Sequence, residues 1–148
     1  MDSKQSFEIT LPTSSAVTSI EYIKDGQVMA CTSTHMYSVT NALAKQNNSI
    51  NEVSILKQQE YRCKDFVNIT SLNGELIAVG SSGAIHVLEG TSLQVQHALL
   101  GHGASAAHFL YLTKSMLISA TRDDHYVYVY NLKDKQKKAK IVLVADAN

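Results

Sequence analysis

Cysteine is scarce in this chain of 148 residues: there are two, Cys31 and Cys63. Two are too few for a disulfide scaffold, and they fit no CxxC or other metal-ligand spacing, so a reducing compartment is the simpler expectation. Charge is scarce as well. Charged residues make up 18% of the chain, against roughly a quarter in typical soluble domains, so Ser, Thr, Asn and Gln carry most of the polar surface. Thirteen basic residues balance thirteen acidic ones. That balance excludes an overall field that would draw the protein to nucleic acid or a membrane, and leaves only local contacts. Long apolar runs are missing too: nowhere do about 18 apolar residues follow one another. The N-terminal MDSKQSFEITLPTSS is too polar for a signal peptide, and a soluble intracellular protein is expected.

Motifs that carry chemistry are also missing. His35, His86, His97, His102, His108 and His125 form no HxH or HExxH pair, so they are expected to be structural or surface residues, with no metal site. No nucleophile signature surrounds Cys31 or Cys63. The pieces NGEL and GSSGAIHV lack the GxGxxG and GxxxxGK patterns and serve as turns, not phosphate cradles. The expectation is a protein without catalytic residues, cofactor, metal or small-molecule substrate.

What the chain does have is β-periodicity. Segments 16–23, 27–33, 36–39, 67–72, 75–80, 84–90, 109–112, 116–121 and 126–132 are short, apolar and rich in β-favouring residues. Turn-forming pieces of two to five residues separate them, among them KDG, NG, SSG and RDD. An all-β meander follows. The stretch 41–63 is the exception: its middle, KQNNSIN, reads as loop, and its second half leans to strand over short helix.

The meander repeats. LIAVGSSGAIHVLEGTSL (76–93) lies over LISATRDDHYVYVYNLKD (117–134) with one residue inserted at the turn, an offset of 41 before it and 42 after it. QVMACTSTHMYSVTN (27–41) is a fainter third copy. Each unit reads as three strands joined by tight turns and then a variable segment, which is the order of a β-propeller blade. The approximate units are 16–66, 67–106 and 107–148, so the whole of 1–148 reads as a partial propeller.

Residues 101–132, GHGASAAHFLYLTKSMLISATRDDHYVYVYNL, resemble a WD repeat. Gly101 and His102 match that family's Gly-His, and Tyr130 and Asn131 stand where its Trp-Asp stands. In the family a His, a Ser or Thr on the second strand, an Asp in the next turn and the Trp form a buried hydrogen-bonded network that stiffens the blade. The resemblance places that network on His102, Ser119, Asp123 or Asp124, and Tyr130. Linking three strands and a turn in this way fixes their register, and a buried polar group is tolerated when it finds a partner. The preceding unit is more divergent, with Ala78 at the Ser position, Ser82 near the Asp position, and Leu88 and Glu89 at the Trp-Asp position.

The last repeat with its sequel, residues 99–148, is similar to the corresponding region of a WD-repeat subunit of the UTP-A subcomplex of the small-subunit processome. The points of likeness are GH, LISA before an acidic turn, VYVYNL, and VLVAD after a polar insert. The resemblance implies a nucleolar scaffold in early 40S ribosome biogenesis, with other protein subunits as partners. The alternative is a WD-repeat adaptor in another complex, a vesicle coat or a ubiquitin ligase receptor.

Two features qualify the architecture. Three units supply about twelve strands, whereas closed propellers use about four to eight four-stranded blades, so either a longer protein or another chain is expected to complete the arc. The final KIVLVADAN, which reads as the start of a new strand, favours the longer protein. The run KDKQKKAK (133–140) carries Lys133, Lys135, Lys137, Lys138 and Lys140. It reads first as a solvated hairpin loop and second as a local contact to pre-rRNA phosphates, without sequence readout, or a weak nuclear localisation signal.

Overall fold

The computed structural model describes residues 8–43, 48–53, 64–103, 105–133 and 138–142. Every regular element in these residues is a β-strand. Three four-stranded antiparallel sheets follow one another along the chain, each a simple meander. The first holds β1 (Val17–Lys24), β2 (Gln27–Thr32), β3 (Met36–Thr40) and β4 (Ser49–Glu52). The second holds β5 (Lys64–Leu72), β6 (Leu76–Ser82), β7 (Ala84–Glu89) and β8 (Val95–Leu100). The third holds β9 (Phe109–Leu112), β10 (Met116–Ala120), β11 (Tyr126–Asn131) and β12 (Lys138–Val142).

The nine strands expected from periodicity are all present. The outer strands β4 and β8 are the additions, in segments described as variable, and β12 begins at Lys138, two residues before the strand start read in KIVLVADAN. In 41–63 the strand among the described residues is Ser49–Glu52, which begins within the piece expected to be loop and runs one residue past it; residues 44–47 and 54–63 lie outside the described residues. The lysine run is likewise not all loop, because Lys138 and Lys140 belong to β12, paired with Tyr130 and Tyr128.

Turn chemistry sets the hairpins. Asp25-Gly26 and Asn73-Gly74 take positive φ at both positions, 51° and 75° in the first pair and 50° and 73° in the second. That is the geometry of a type I′ turn, whose twist matches that of the strands it joins, and Asn or Asp followed by Gly adopts it at least cost. Gly90 has a different role. It brings its backbone against Gly74, its N–H donating to the carbonyl of Glu75 at 2.9 Å, and a Cβ there would collide with the carbonyl oxygen of Gly74.

Side chains alternate across each sheet, so each sheet has two apolar faces, and the sheets stack through them. Met29, Cys31 and Met36 of the first sheet meet Ile69, Ile77, Val79 and Leu88 of the second. Ala78, Ile85 and Val87, on the opposite face of that second sheet, meet Leu112, Leu117 and Tyr130 of the third. A fully buried side chain of this size stabilises by about 1.5–3 kcal/mol, so the two seams hold most of the fold's apolar stabilisation. The strands β1, β5 and β9 stand side by side, since β5 contacts β1 on one side and β9 on the other.

Polar ties cross this inner row. The Thr18 hydroxyl donates to the carbonyl of Phe66 at 2.9 Å, and Ser19 Oγ accepts the Ile69 N–H at 3.1 Å. Asn68 then donates through Nδ2 to the carbonyl of His108 at 2.6 Å. One histidine is fully enclosed: His86 on β7, paired with Val79, is 0% exposed. Burial lowers its pKa to about 4.

Two outcomes follow. Gly90→Ala must separate the β5–β6 and β7–β8 turns, and is expected to lower stability by about 2 kcal/mol or more in urea denaturation. For His86 the folded-state pKa lies below the ordinary 6.5, so the unfolded chain binds the proton more readily. Stability is therefore complete above pH 6.5 and falls by about 3 kcal/mol as the pH drops towards 4. Denaturation midpoints across that window should slope for the parent chain and flatten for His86→Gln.

Candidate functional site

The most connected polar cluster sits at one end of the third sheet, where the β8–β9 connection meets the β10–β11 turn. His102 follows β8, Ser119 lies on β10, and Asp124 lies in the turn. His102 Nε2 is 2.9 Å from Ser119 Oγ, and both side chains are buried. His102 Nδ1 faces Asp124 Oδ2 at 3.7 Å. The carboxylate's other oxygen accepts the Tyr126 N–H at 2.7 Å, which holds the turn in shape. Tyr128 packs against the imidazole with ring centroids 4.5 Å apart.

Asp123 does not join them. Its carboxylate takes the Thr121 hydroxyl at 3.5 Å, and its own N–H donates back to Thr121 Oγ1 at 3.3 Å. Of the two aspartates left open by the sequence, Asp124 is the one beside His102. Tyr130 is 3% exposed and donates its hydroxyl to the carbonyl of Leu100 at 2.7 Å. The tyrosine at the expected Trp position thus ties the third strand of one sheet to the outer strand of the sheet before it. Burial pushes its pKa up to about 12; a hydrogen bond with Ser119 opposes that, and the neighbouring Tyr128 adds to it.

Strand pairing corrects one equivalence. Ser119 pairs with Tyr128, whereas Val79 pairs with His86. Val79, not Ala78, therefore occupies Ser119's place in the second sheet. Six residues lie between the last β10–β11 pair, Ala120 and Val127, against four between Gly80 and Ile85 and four between Cys31 and Met36. The third sheet's turn is longer by two residues, not one, and that extra length carries Asp123 and Asp124 out to the level of His102.

Serine, histidine and aspartate in this order invite comparison with a hydrolase triad, and burial argues against it. Ser119 is 1% exposed, enclosed between two sheets where no acyl group could reach it, and a triad also needs an open reacting position beside oxyanion donors. Cys31 is equally withdrawn: it is 0% exposed, and burial raises its pKa to about 12, so it stays a thiol. Cys63 lies outside the described residues. Among the described residues no three His, Cys, Asp or Glu side chains gather where a metal ion could be held.

Lys133 and Lys138 are at the opposite end of the sheet. Lys133 is exposed just past β11, its N–H donating to Asn131 Oδ1 at 2.9 Å. Lys138 opens β12 at that same end, and Lys140 follows two residues along. Lys135 and Lys137 lie outside the described residues. Lys133 and Lys138 therefore lie away from the histidine cluster, whereas Lys140 pairs with Tyr128, whose ring packs against His102.

Two features had no clear signal in the sequence. Tyr128 looks like any other member of the alternating run, yet its ring is the one against His102. Leu100 is the acceptor for Tyr130 through a backbone atom, which no residue identity announces.

No protein-family profile and no curated protein sequence matches the chain. Solved structures do. The structure of U3-55K superposes with a TM-score of 0.70 at 14% identity, covering 89% of this chain and 41% of that one. The fold is that of WD40 propeller blades. The RRP9 WD40 repeats give a TM-score of 0.68 at 14% identity, covering 89% of this chain and 40% of that one. Sqt1 of Saccharomyces cerevisiae gives 0.67 at 16% identity, covering 88% and 36%. The chain thus spans about two fifths of the length of these solved WD40 chains, and its three sheets correspond to successive blades of an incomplete propeller.

The Tyr130 and Ser119 ties can be separated by substitution. Ser119→Ala takes the hydroxyl from His102 and from Tyr130 and is expected to cost about 1–3 kcal/mol, while Tyr130→Phe strips the bond to Leu100 and the one shared with Ser119 and is expected to cost about 1–2 kcal/mol. Denaturation of both single variants and the double variant should show a non-zero coupling between them.

Proposed function

We propose that this chain is a non-catalytic WD-repeat scaffold that holds protein subunits together in a large nucleolar assembly, the small-subunit processome of early 40S ribosome biogenesis. The observation that carries the scaffold reading is the use of its most elaborate polar cluster. His102, Ser119 and Tyr130 are buried, and the polar contacts of these three and Asp124 go to one another, to the Tyr126 N–H and to the Leu100 carbonyl of the preceding sheet. In that role the cluster stiffens the third sheet, and the repeat units 16–66, 67–106 and 107–148 are its blades. Function then belongs to the surfaces the stiff arc presents.

Support for ribosome biogenesis comes from two directions. Residues 99–148 resemble a UTP-A subunit, and U3-55K and RRP9 are among the structures that share the fold. Lys133, Lys135, Lys137, Lys138 and Lys140 supply a local site for pre-rRNA phosphates. With the formal net charge at zero, such contact is short-range and sequence-independent.

Affinity purification of the tagged protein from its own cells tests the assembly. Pre-ribosomal RNA with nucleolar proteins is the expected recovery. Coat or ubiquitin-ligase subunits without RNA would overturn it in favour of an adaptor.

A further inference from the structure

One basic side chain from outside the lysine run is folded up beside it. Lys114 stands in the turn between β9 and β10, well before Lys133 in the chain. The Leu132 N–H donates to the Ser115 carbonyl at 2.9 Å, which carries the β10–β11 pairing one step past Met116 and Asn131. Lys114 and Lys133 flank that bond, each the next residue outward. Thr113 shapes the turn, its Oγ1 accepting the N–H of Ser115 at 3.3 Å and that of Met116 at 3.0 Å. Lys114 is left at the tip with its side chain 78% exposed, and Lys133 is exposed as well.

Charge is divided between neighbouring sheets at this end. On the third sheet, residues 113–115 and 131–133 hold two lysines and no carboxylate. The second sheet brings the acids: Glu75 follows the Asn73-Gly74 turn, and Glu89 closes β7, where its carboxylate accepts the Ser92 hydroxyl at 2.9 Å. Glu75 reaches across to the third sheet, its Oε2 lying 3.5 Å from Lys114 Nζ, and its own side chain is 58% exposed. A pair this open to water is weak and screened by salt, so a denser anion can take the carboxylate's place.

We propose that Lys114 is a further contact for the RNA backbone, extending the site of Lys133 and Lys138 to the β9–β10 turn, and that Glu75 is its counter-ion in the unbound protein, displaced by a phosphate. This rests on the reading of the lysine run as a phosphate contact. It adds a residue the run does not contain and an acidic group that opposes binding. An ammonium is a compact charge with freely rotating donors, which suits a phosphate that arrives from no fixed direction. A nucleic-acid strand that crosses both lysines also releases its own condensed counter-ions, a gain that a lone carboxylate such as Glu75 does not offer.

Fluorescence anisotropy of the purified protein with a labelled single-stranded oligouridylate, repeated over a range of potassium chloride concentrations, tests this. Lys114→Gln is expected to weaken binding about five-fold at roughly 0.1 M salt and to reduce the slope of log K against log salt by about 0.7, the share of one phosphate on a single strand. Glu75→Gln is expected to strengthen binding in the parent and to change nothing once Lys114 is Gln, a coupling that a general change of net charge does not produce. Arg122→Gln, in the turn at the opposite end of the third sheet, is expected to leave affinity unchanged. If Lys133→Gln weakens binding and Lys114→Gln does not, the proposal fails and the phosphate reading of the run stands. If the parent protein binds no RNA, both fail together. Glu75→Gln binding no more tightly than the parent would overturn the counter-ion role. Competition by polyglutamate or by phosphatidylserine vesicles as strong as that of unlabelled RNA would assign the surface to an acidic protein or a membrane, and would overturn the proposal too.

Discussion

A sheet that is apolar on both faces cannot be stable alone, and every other feature of this molecule depends on that constraint. Four strands with alternating side chains offer two surfaces, and water is tolerated at neither. The second sheet shows the solution, with Ile77, Val79 and Leu88 buried on one side and Ala78, Ile85 and Val87 buried on the other. The first and third sheets are half-solved cases. Each packs one face on the second sheet, and their other faces hold most of the exposed large apolar side chains, although Ala30, Tyr37 and Val39 on the first sheet's outer face are buried. Nothing in the strand chemistry distinguishes an inner sheet from an outer one, so the exposure is a consequence of position in the stack.

Stacking by apolar faces alone is non-directional, and sheets that can slide lose their register. The polar groups therefore appear where sliding would begin. Along the inner row Thr18, Ser19 and Asn68 tie β1 to β5 and β5 to the His108 carbonyl. At the far side Tyr130 ties β11 to Leu100 on the sheet before it. The third sheet is thus anchored to the second through both its inner edge and its third strand. A Trp at position 130 would carry an indole N–H in a different place; the phenol reaches out of its own sheet instead. The departure from the repeat pattern moves a contact without removing it.

How much of this was legible in the sequence depended on how much apolar surface each element buries. The inner three strands of each sheet are buried on at least one face and announce themselves by alternation, as YVYVYN does. The outer strands bury little: SINE is mostly exposed, and VQHALL carries no clean period because its pairing shifts register between Val87 and Leu88. Backbone hydrogen bonds place them there, and those leave no trace in residue type. The same blindness explains the slip at Ala78. LIAVG laid over LISAT looks better than LIAVG over MLISA, but the strands pair as the second. Letter similarity among small and branched residues cannot fix a register to one residue, and one residue reverses the face.

That reversal matters for the site. With Val79 equivalent to Ser119 and His86 equivalent to Tyr128, the second sheet replaces a serine with an aliphatic residue at one position and a tyrosine with a buried neutral imidazole at the next strand. Two sheets of one repeat thus enclose a histidine by different routes. In the third, His102 enters from the connection between sheets, with Ser119 on one ring nitrogen and Asp124 near the other. In the second, His86 stands on the strand itself and stays uncharged because burial disfavours the proton. The lengthened β10–β11 turn is what permits the first route, since it alone brings a carboxylate to the height of the imidazole. A four-residue turn, as in the first two sheets, would leave His102 without Asp124, and the third sheet would then be held by Ser119 and by the reach of Tyr130 to Leu100.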